Sequence, residues 1–351
     1  MSRFLSGRYA ELVPYVPGEQ PKDNKYIKLN TNESPFPPSP KAVAAGREAL
    51  EKLNLYSDPS CYALIRAVSE LYGVSVECVI CSNGSDEVLS WAFAAFCCEG
   101  RPAVFPDVTY GFYPVFAAQN GVPYKIVPLK EDFSVDTGEM KKEKGTLFIA
   151  NPNAPTGIAL KADVIEEIVR ADPERIVVVD EAYVDFGAES VVSLVLKYEN
   201  LLVTQTFSKS RSMAGARLGL GFASPALIRD LETIRCSINP YNVGTVAQAM
   251  GIGALSDNEY MLDNCREICE NRAYTVSALS ALGFEMTDSS ANFIFVRHPD
   301  IGGEELYQKL REKGILVRHF SRPDRIKDYN RITVGSIDQM KALVKAAAEI
   351  L

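Results

Sequence analysis

RIVVVDEAYVDF, residues 175–186, holds an unbroken apolar run from Ile176 to Val179 that a carboxylate closes at Asp180. So short a β-branched run reads as a fully buried strand. Outward from it, similar runs recur in AVFPDV (103–108), KIVPL (125–129), LFIAN (147–151), LLVTQTF (201–207) and LGLGFAS (218–224). Between them lie helical patterns, SDEVLSWAFAAFC (85–97), GFYPVFAAQNG (111–121) and KADVIEEIVRAD (161–172), each ending near a Gly or Pro. Alternation of this kind from about residue 76 to 225 predicts an α/β fold with a mainly parallel sheet, because crossovers through helices keep neighbouring strands parallel.

After about Asn242 the pattern changes to long helices, VGTVAQAMGIGALS (243–256) and EYMLDNCREICENRAYTVSALSALG (259–283), followed by NFIFVR, EELYQKLREKG, RITVGS and a terminal amphipathic helix. That is an α+β unit of its own. A chain of 351 residues suits a large domain plus a smaller one. The first ~30 residues are irregular, and the four prolines of TNESPFPPSP (31–40) remove donors and fix φ, so this segment reads as an ordered arm.

The net charge of −8 leaves no basic surplus for a phosphate backbone, so nucleic acid is not expected as a partner. No run approaches the ~20 apolar residues of a membrane span, and the N-terminus lacks a signal-peptide core, which points to a cytoplasmic protein without a membrane partner. The eight cysteines show no metal-ligand spacing with His298 and His319, so no metal is expected and the thiols read as reduced, small hydrophobes.

In a parallel sheet, ligands bind at the carboxyl ends of the strands, so the polar residues that follow each apolar run are the informative ones. They are Asn83-Gly84-Ser85-Asp86, Tyr110, Asn151 to Gly157, Asp180 to Tyr183, and Thr206 to Lys209. A buried Asp180 needs a cationic partner, although an ion pair or a helix cap would also account for it. In TFSKSRSMAGAR (206–217), Lys209 sits among hydroxyls with Arg217 eight residues on, which combines an amine nucleophile with an anion cradle of Thr206, Ser208 and Arg217. Asn83-Gly84-Ser85 opens a helix, whose free N–H groups suit a phosphate, while Asp86 also fits plain stabilisation of the helix start. Neither a GxGxxG after a strand nor a GxxxxGK[ST] is present. An amine, a buried carboxylate, a phosphate cradle and the aromatic residues Tyr110 and Tyr183 together meet the needs of pyridoxal 5'-phosphate.

LNTNESPFPPSP, LYSDP, SNGSDE, VTYGFY, NPNAPTG, VVVDEAYVDF, TFSKSRSMAGARLG, PYNV, GILVRHF and RITVGS occur in this order almost end to end, and with them the chain resembles the fold-type I aminotransferases. Within these it is similar to the histidinol-phosphate aminotransferase family. The resemblance implies a large domain (30–245) with a mainly parallel seven-stranded sheet, a small C-terminal α+β domain (246–351) and an arm (1–29) that belongs to the small domain. It implies that Lys209 forms a Schiff base with pyridoxal phosphate and shuttles a proton, that Asp180 pairs with the ring nitrogen, and that Tyr183 bonds the ring hydroxyl while Tyr110 stacks on the ring. Gly84, Ser85, Thr206, Ser208 and Arg217 would hold the phosphate, helped by Tyr56 from the neighbouring subunit of a homodimer with shared active sites, and Asp86 would belong to the same cofactor site. Where the family usually has Asn before PTG this chain has Ala154, leaving Asn153, Asn151 or Tyr183 alone for the ring hydroxyl. Tyr15, Asn32, Arg318 and Arg331 would bind the substrates, histidinol phosphate and glutamate or 2-oxoglutarate. An aromatic or general amino-acid aminotransferase and a threonine-phosphate decarboxylase are the alternatives that share this machinery.

Overall fold

Seven strands make the central sheet of the computed structural model, which describes residues 2–10, 12–22 and 26–351. They are β2 (Val79–Ser82), β3 (Ala103–Pro106), β4 (Tyr124–Val127), β5 (Thr146–Ala150), β6 (Val177–Asp180), β7 (Leu201–Thr206) and β8 (Gly219–Ala223), in the spatial order β2-β8-β7-β6-β5-β3-β4. All neighbours are parallel except β8, which runs antiparallel to both β2 and β7. This is the expected α/β fold.

Period-two alternation explains why both faces of the sheet are apolar. Val177, Val179, Leu201 and Val203 pack into one layer with helices Tyr62–Tyr72 and Ala162–Arg170. Val178, Leu202 and Phe148 pack into the other with helices Ser85–Phe96, Tyr113–Asn120 and Pro225–Ile238. Phe93 stacks on Phe148 with ring centroids 4.0 Å apart, deep in this second layer. Truncating so large a buried ring to Ala costs about 3–5 kcal/mol.

A second core belongs to an antiparallel sheet in the order β12-β13-β10-β9, built from β9 (Glu285–Met286), β10 (Phe293–Arg297), β12 (Arg318–His319) and β13 (Asn330–Thr333). Helices Asn258–Ser280, Gly303–Glu312 and Ile337–Ile350 cover it, the last opened by a capping box between Ser336 and Gln339. The arm joins this unit through β1 (Ile27–Lys28), which pairs in parallel with β11 (Ile315–Leu316).

Helix Thr245–Leu255 lies against helices Pro40–Ala49 and Tyr62–Tyr72 of the large unit, and Ala254 and Leu255 belong to its core. Gly253 permits the approach, since a Cβ there would stand 2.6 Å from the Lys41 carbonyl oxygen. This helix thus contributes to the core under the central sheet, and helix Asn258–Ser280 to the second core. Among the described residues, no helix is long and apolar enough to cross a membrane.

Candidate active site

The carboxyl ends of β3, β5, β6 and β7, the end of β2 and the start of β8 meet along one edge of the sheet and face a cavity of about 580 Å³. Residues of the small unit and the arm form its far wall. Ser85, Asp86, Tyr110, Asp180, Tyr183, Thr206, Ser208, Lys209 and Arg217 line it from the sheet side, and Tyr15, Asn32, Arg318 and Arg331 line it from the other.

Asp180 is buried at the end of β6. Its Oδ1 accepts from the Thr204 hydroxyl at 3.2 Å and its Oδ2 from the Tyr113 hydroxyl at 3.4 Å. Burial pushes its carboxyl up to about 6, with the nearby Asp86 adding to the rise. A carboxylate so placed, with no cation paired to it among the described residues, is suited to a cationic ring nitrogen arriving in the cavity. Neither supporting residue stood out in the sequence. Thr204 lies directly opposite Asp180 in the parallel register of β6 and β7, and the one signal for it is a hydroxyl inside an otherwise apolar run.

The anion cradle forms where β2 and β7 end and β8 begins. Gly84 has φ of +85°, and a Cβ there would meet Arg217 Nη2 at 2.5 Å, so glycine both opens the helix start and admits the guanidinium. Arg217 Nη1 donates to Ser208 Oγ at 3.4 Å and Nη2 to Asp86 Oδ2 at 3.2 Å. The Thr206 hydroxyl donates to Ser208 Oγ at 2.9 Å. Asp86 also accepts from the Tyr110 hydroxyl at 2.7 Å, which fixes the Tyr110 ring edge-on to Tyr113. Asp86 therefore orients its neighbours, both of which face the cavity.

Lys209 Nζ donates to the Thr31 carbonyl at 3.3 Å and lies 5.7 Å from the centre of the Tyr183 ring. Tyr183 in turn accepts from the Asn32 amide at 3.0 Å and stands edge-on to Phe293 at 5.0 Å. Arg331 is half-buried, its Nη2 donates to the Asn30 carbonyl at 3.1 Å and its buried Nε has no partner among the described residues. Three successive residues of the arm, Asn30, Thr31 and Asn32, thus touch Arg331, Lys209 and Tyr183 respectively. Arg318 reaches the Val16 carbonyl at 3.2 Å, while Tyr15 packs on Phe112 at 4.7 Å.

Two residues singled out by sequence lie elsewhere. Asn153 is buried outside the cavity lining, and its amide is consumed by the Val108 carbonyl at 2.9 Å, Thr156 at 3.0 Å and Thr109 at 2.8 Å. It ties the β3 and β5 loops together. Ala154 does line the cavity and offers no side-chain donor. Tyr56 is 84% exposed and stacks on Tyr241 at 4.6 Å, away from this cavity.

The model of the class I and II aminotransferase family matches residues 24–346. Over 351 residues the chain is 45% identical to histidinol-phosphate aminotransferase 1 of Pseudomonas fluorescens, covering 100% of both chains. It is 47% identical to the histidinol-phosphate aminotransferase of Acinetobacter baumannii, over 98% of this chain and 96% of that one. Among solved structures, the histidinol-phosphate aminotransferase of Sinorhizobium meliloti, in complex with pyridoxal 5'-phosphate, superposes with a TM-score of 0.89 at 23% identity, covering 99% of each chain. The L-threonine-O-3-phosphate decarboxylase of Porphyromonas gingivalis shares the fold, with a TM-score of 0.81 at 21% identity over 92% of this chain and 98% of that one.

Proposed function

We infer that this chain, which belongs to the class I and II aminotransferase family and within it to the histidinol-phosphate aminotransferases, moves an amino group between histidinol phosphate and 2-oxoglutarate. It is an aminotransferase dependent on pyridoxal phosphate. The residues present fit that cofactor: an amine at Lys209, a desolvated carboxylate at Asp180 and a cradle of Ser85, Thr206, Ser208 and Arg217 line one cavity, with Gly84 packed against the Arg217 guanidinium behind them. When bound, pyridoxal phosphate supplies an aldehyde for the amine and a conjugated ring that withdraws electrons from the substrate's Cα.

The protein's own residues do the rest. Lys209 Nζ would hold the cofactor and, as a free amine beside the substrate, would carry a proton to and from Cα. Asp180 would keep the ring nitrogen protonated, with Thr204 and Tyr113 fixing its carboxylate. Tyr183 would hold the ring hydroxyl, oriented by Asn32. Arg331 and Arg318, across the cavity, take the distal anion, which is a phosphate in one half-reaction and a carboxylate in the other.

The observation that carries this reading is the buried, unpartnered Nε of Arg331 in the cavity that Lys209 and Asp180 share. Its test is a pair of single half-reactions followed by absorbance. Histidinol phosphate should convert the bound cofactor and phenylalanine should do so far more slowly, and 2-oxoglutarate should then yield glutamate. Release of CO2 without glutamate would mark a decarboxylase instead.

The working unit is a cytoplasmic homodimer. Leu53, Leu55, Tyr56, Tyr62 and Ile238 are all exposed apolar side chains, more than a free surface favours. In this assembly exposed Tyr56 would help hold the cofactor phosphate of the neighbouring subunit. An active monomer in sedimentation at assay concentrations would remove the dimer from this account.

A further inference from the structure

Beyond Arg318 and Arg331, a third guanidinium lines the cavity. Side chains alternate along extended backbone, and Arg318, Phe320 and Arg322 all face the cavity, whereas His319 turns away to Glu304 at 2.8 Å and to the Lys327 carbonyl at 2.8 Å. Arg318 and Arg331 both sit against the Phe320 ring, at 5.6 and 5.7 Å from its centre, and each also donates to an arm carbonyl. Arg322 has no side-chain hydrogen bond and no ion pair among the described residues.

The segment that carries Arg322 is fixed at both ends. On one side it continues β12. On the other, Arg325 clamps it to the large unit: Nη1 donates to Asp107 Oδ2 and to the Leu129 carbonyl, both at 3.0 Å, and Nη2 donates to the Lys130 carbonyl at 2.7 Å. The Arg325 guanidinium also lies 4.8 Å from the centre of the Phe133 ring. Ile326, next to it, is buried and lines the cavity. A free cation is therefore held at the cavity wall by a backbone that is itself anchored.

We propose that Arg322 is a specificity-determining residue, which binds the phosphate ester of the phosphorylated substrate and sets it apart from the carboxylate of the second substrate. This rests on the functional reading above. The two distal anions differ chemically: a phosphate monoester carries nearly two charges on three oxygens at neutral pH, and a carboxylate carries one on two. Two guanidinium groups saturate a carboxylate. A third matches the extra oxygen and the extra charge.

The test uses the holoenzyme and compares R322A and R322K with the wild type on histidinol phosphate, unphosphorylated histidinol and glutamate. In R322A, kcat/KM for histidinol phosphate should fall about tenfold to a hundredfold, mostly through KM, with far smaller losses for histidinol and glutamate. R322K should recover part of the loss, and inorganic phosphate should become a weaker competitive inhibitor of R322A. Cofactor absorbance and far-UV circular dichroism establish that each variant is folded and loaded. Equal losses on all three substrates, or none, would overturn the role of Arg322. A wild-type enzyme that does not turn over histidinol phosphate would overturn the functional reading first and this proposal with it.

Discussion

The side-chain amide of Asn32 donates to the phenol oxygen of Tyr183 at 3.0 Å, and the same residue meets Thr333 twice, through its backbone N–H at 2.9 Å and its Oδ1 at 3.1 Å. Thr333 lies two residues beyond Arg331 on β13, so Asn32 links the tyrosine of the large unit to the strand that carries a substrate arginine. Asn32 sits at φ of +55°, a left-handed conformation that Asn tolerates better than most residues.

That geometry makes Asn32 a positioning residue. Asn32→Gly retains the backbone freedom and deletes only the side-chain bonds. It should cost about 1–3 kcal/mol of stability, because the Thr333 and Tyr183 hydroxyls lose buried partners. It should also lower kcat about tenfold through a loosened Tyr183, with KM moving less. Wild-type kcat in a variant shown by thermal melting to be destabilised would refute the positioning role.

Lys209 is the lysine whose amine faces the cavity between Tyr183 and the arm. Reduction of the holoenzyme with borohydride should fix the cofactor on this side chain, and peptide mapping should find the label on residues 206–217. Lys209→Ala should lose both the covalent link and measurable turnover. A label on another lysine would displace the assignment.

Asp180 ties activity to pH-dependent stability. Burial raises its carboxyl from 3.8 in an unfolded chain to about 6. Between those values the folded protein without cofactor keeps a proton that the unfolded chain has released, so stability falls as pH rises through the window. By neutral pH the cost is fully present, at roughly 3 kcal/mol. Asp180→Asn removes the titrating group. Without cofactor, this variant should melt higher than the wild type at pH 7.5, with the gap closing by about pH 4. With cofactor it should still hold the group covalently, yet turn over at least ~100-fold more slowly, because an amide cannot keep the ring nitrogen protonated. Melting curves at the two pH values and steady-state rates check both halves, and a gap that ignores pH would refute the burial account.

Asp180 and Lys209 were legible in the sequence because each follows an apolar run, and a parallel sheet delivers every such position to one edge. Gly84 and Ser85 were legible for the related reason that a helix starts there. Tyr113 was not: in GFYPVF its ring looks like any core aromatic, and its hydroxyl meets Asp180 only once β3, β5 and β6 lie in their spatial order. Arg322 and its clamp depend on packing between residues more than 190 apart in the chain, as Arg325 and Lys130 are. Asn153 shows the converse. It stands after a strand like the site residues, but its amide is spent on neighbouring loops, and residue type alone does not distinguish the two uses. Helix Thr245–Leu255, which follows the change of pattern near Asn242, packs on helices of the large unit, a contact the pattern does not reveal.

Arg331 sets function against stability in one residue. Its side chain is partly buried at the cavity wall, and desolvation pulls its pKa below the ordinary arginine value. A base whose charged form is disfavoured in the folded state costs stability at every pH below its unfolded pKa, which includes the whole working range. One nitrogen, Nε, lacks a partner among the described residues, and a distal phosphate or carboxylate would provide it. Arg331→Ala should therefore lower kcat/KM about tenfold to a hundredfold for histidinol phosphate and for glutamate together, since both place an anion there. Cofactor absorbance should be unaltered, because the side chain lies across the cavity from the cradle. Without substrate, the variant should lose little melting temperature, or gain some, provided the small residue leaves room for water beside the Asn30 carbonyl. Arg331→Lys should recover only part of the loss, as an ammonium cannot present two parallel donors to a planar anion. If wild-type and variant enzymes bind glutamate equally, the anion site lies elsewhere, and Arg331 is a strut between β13 and the arm.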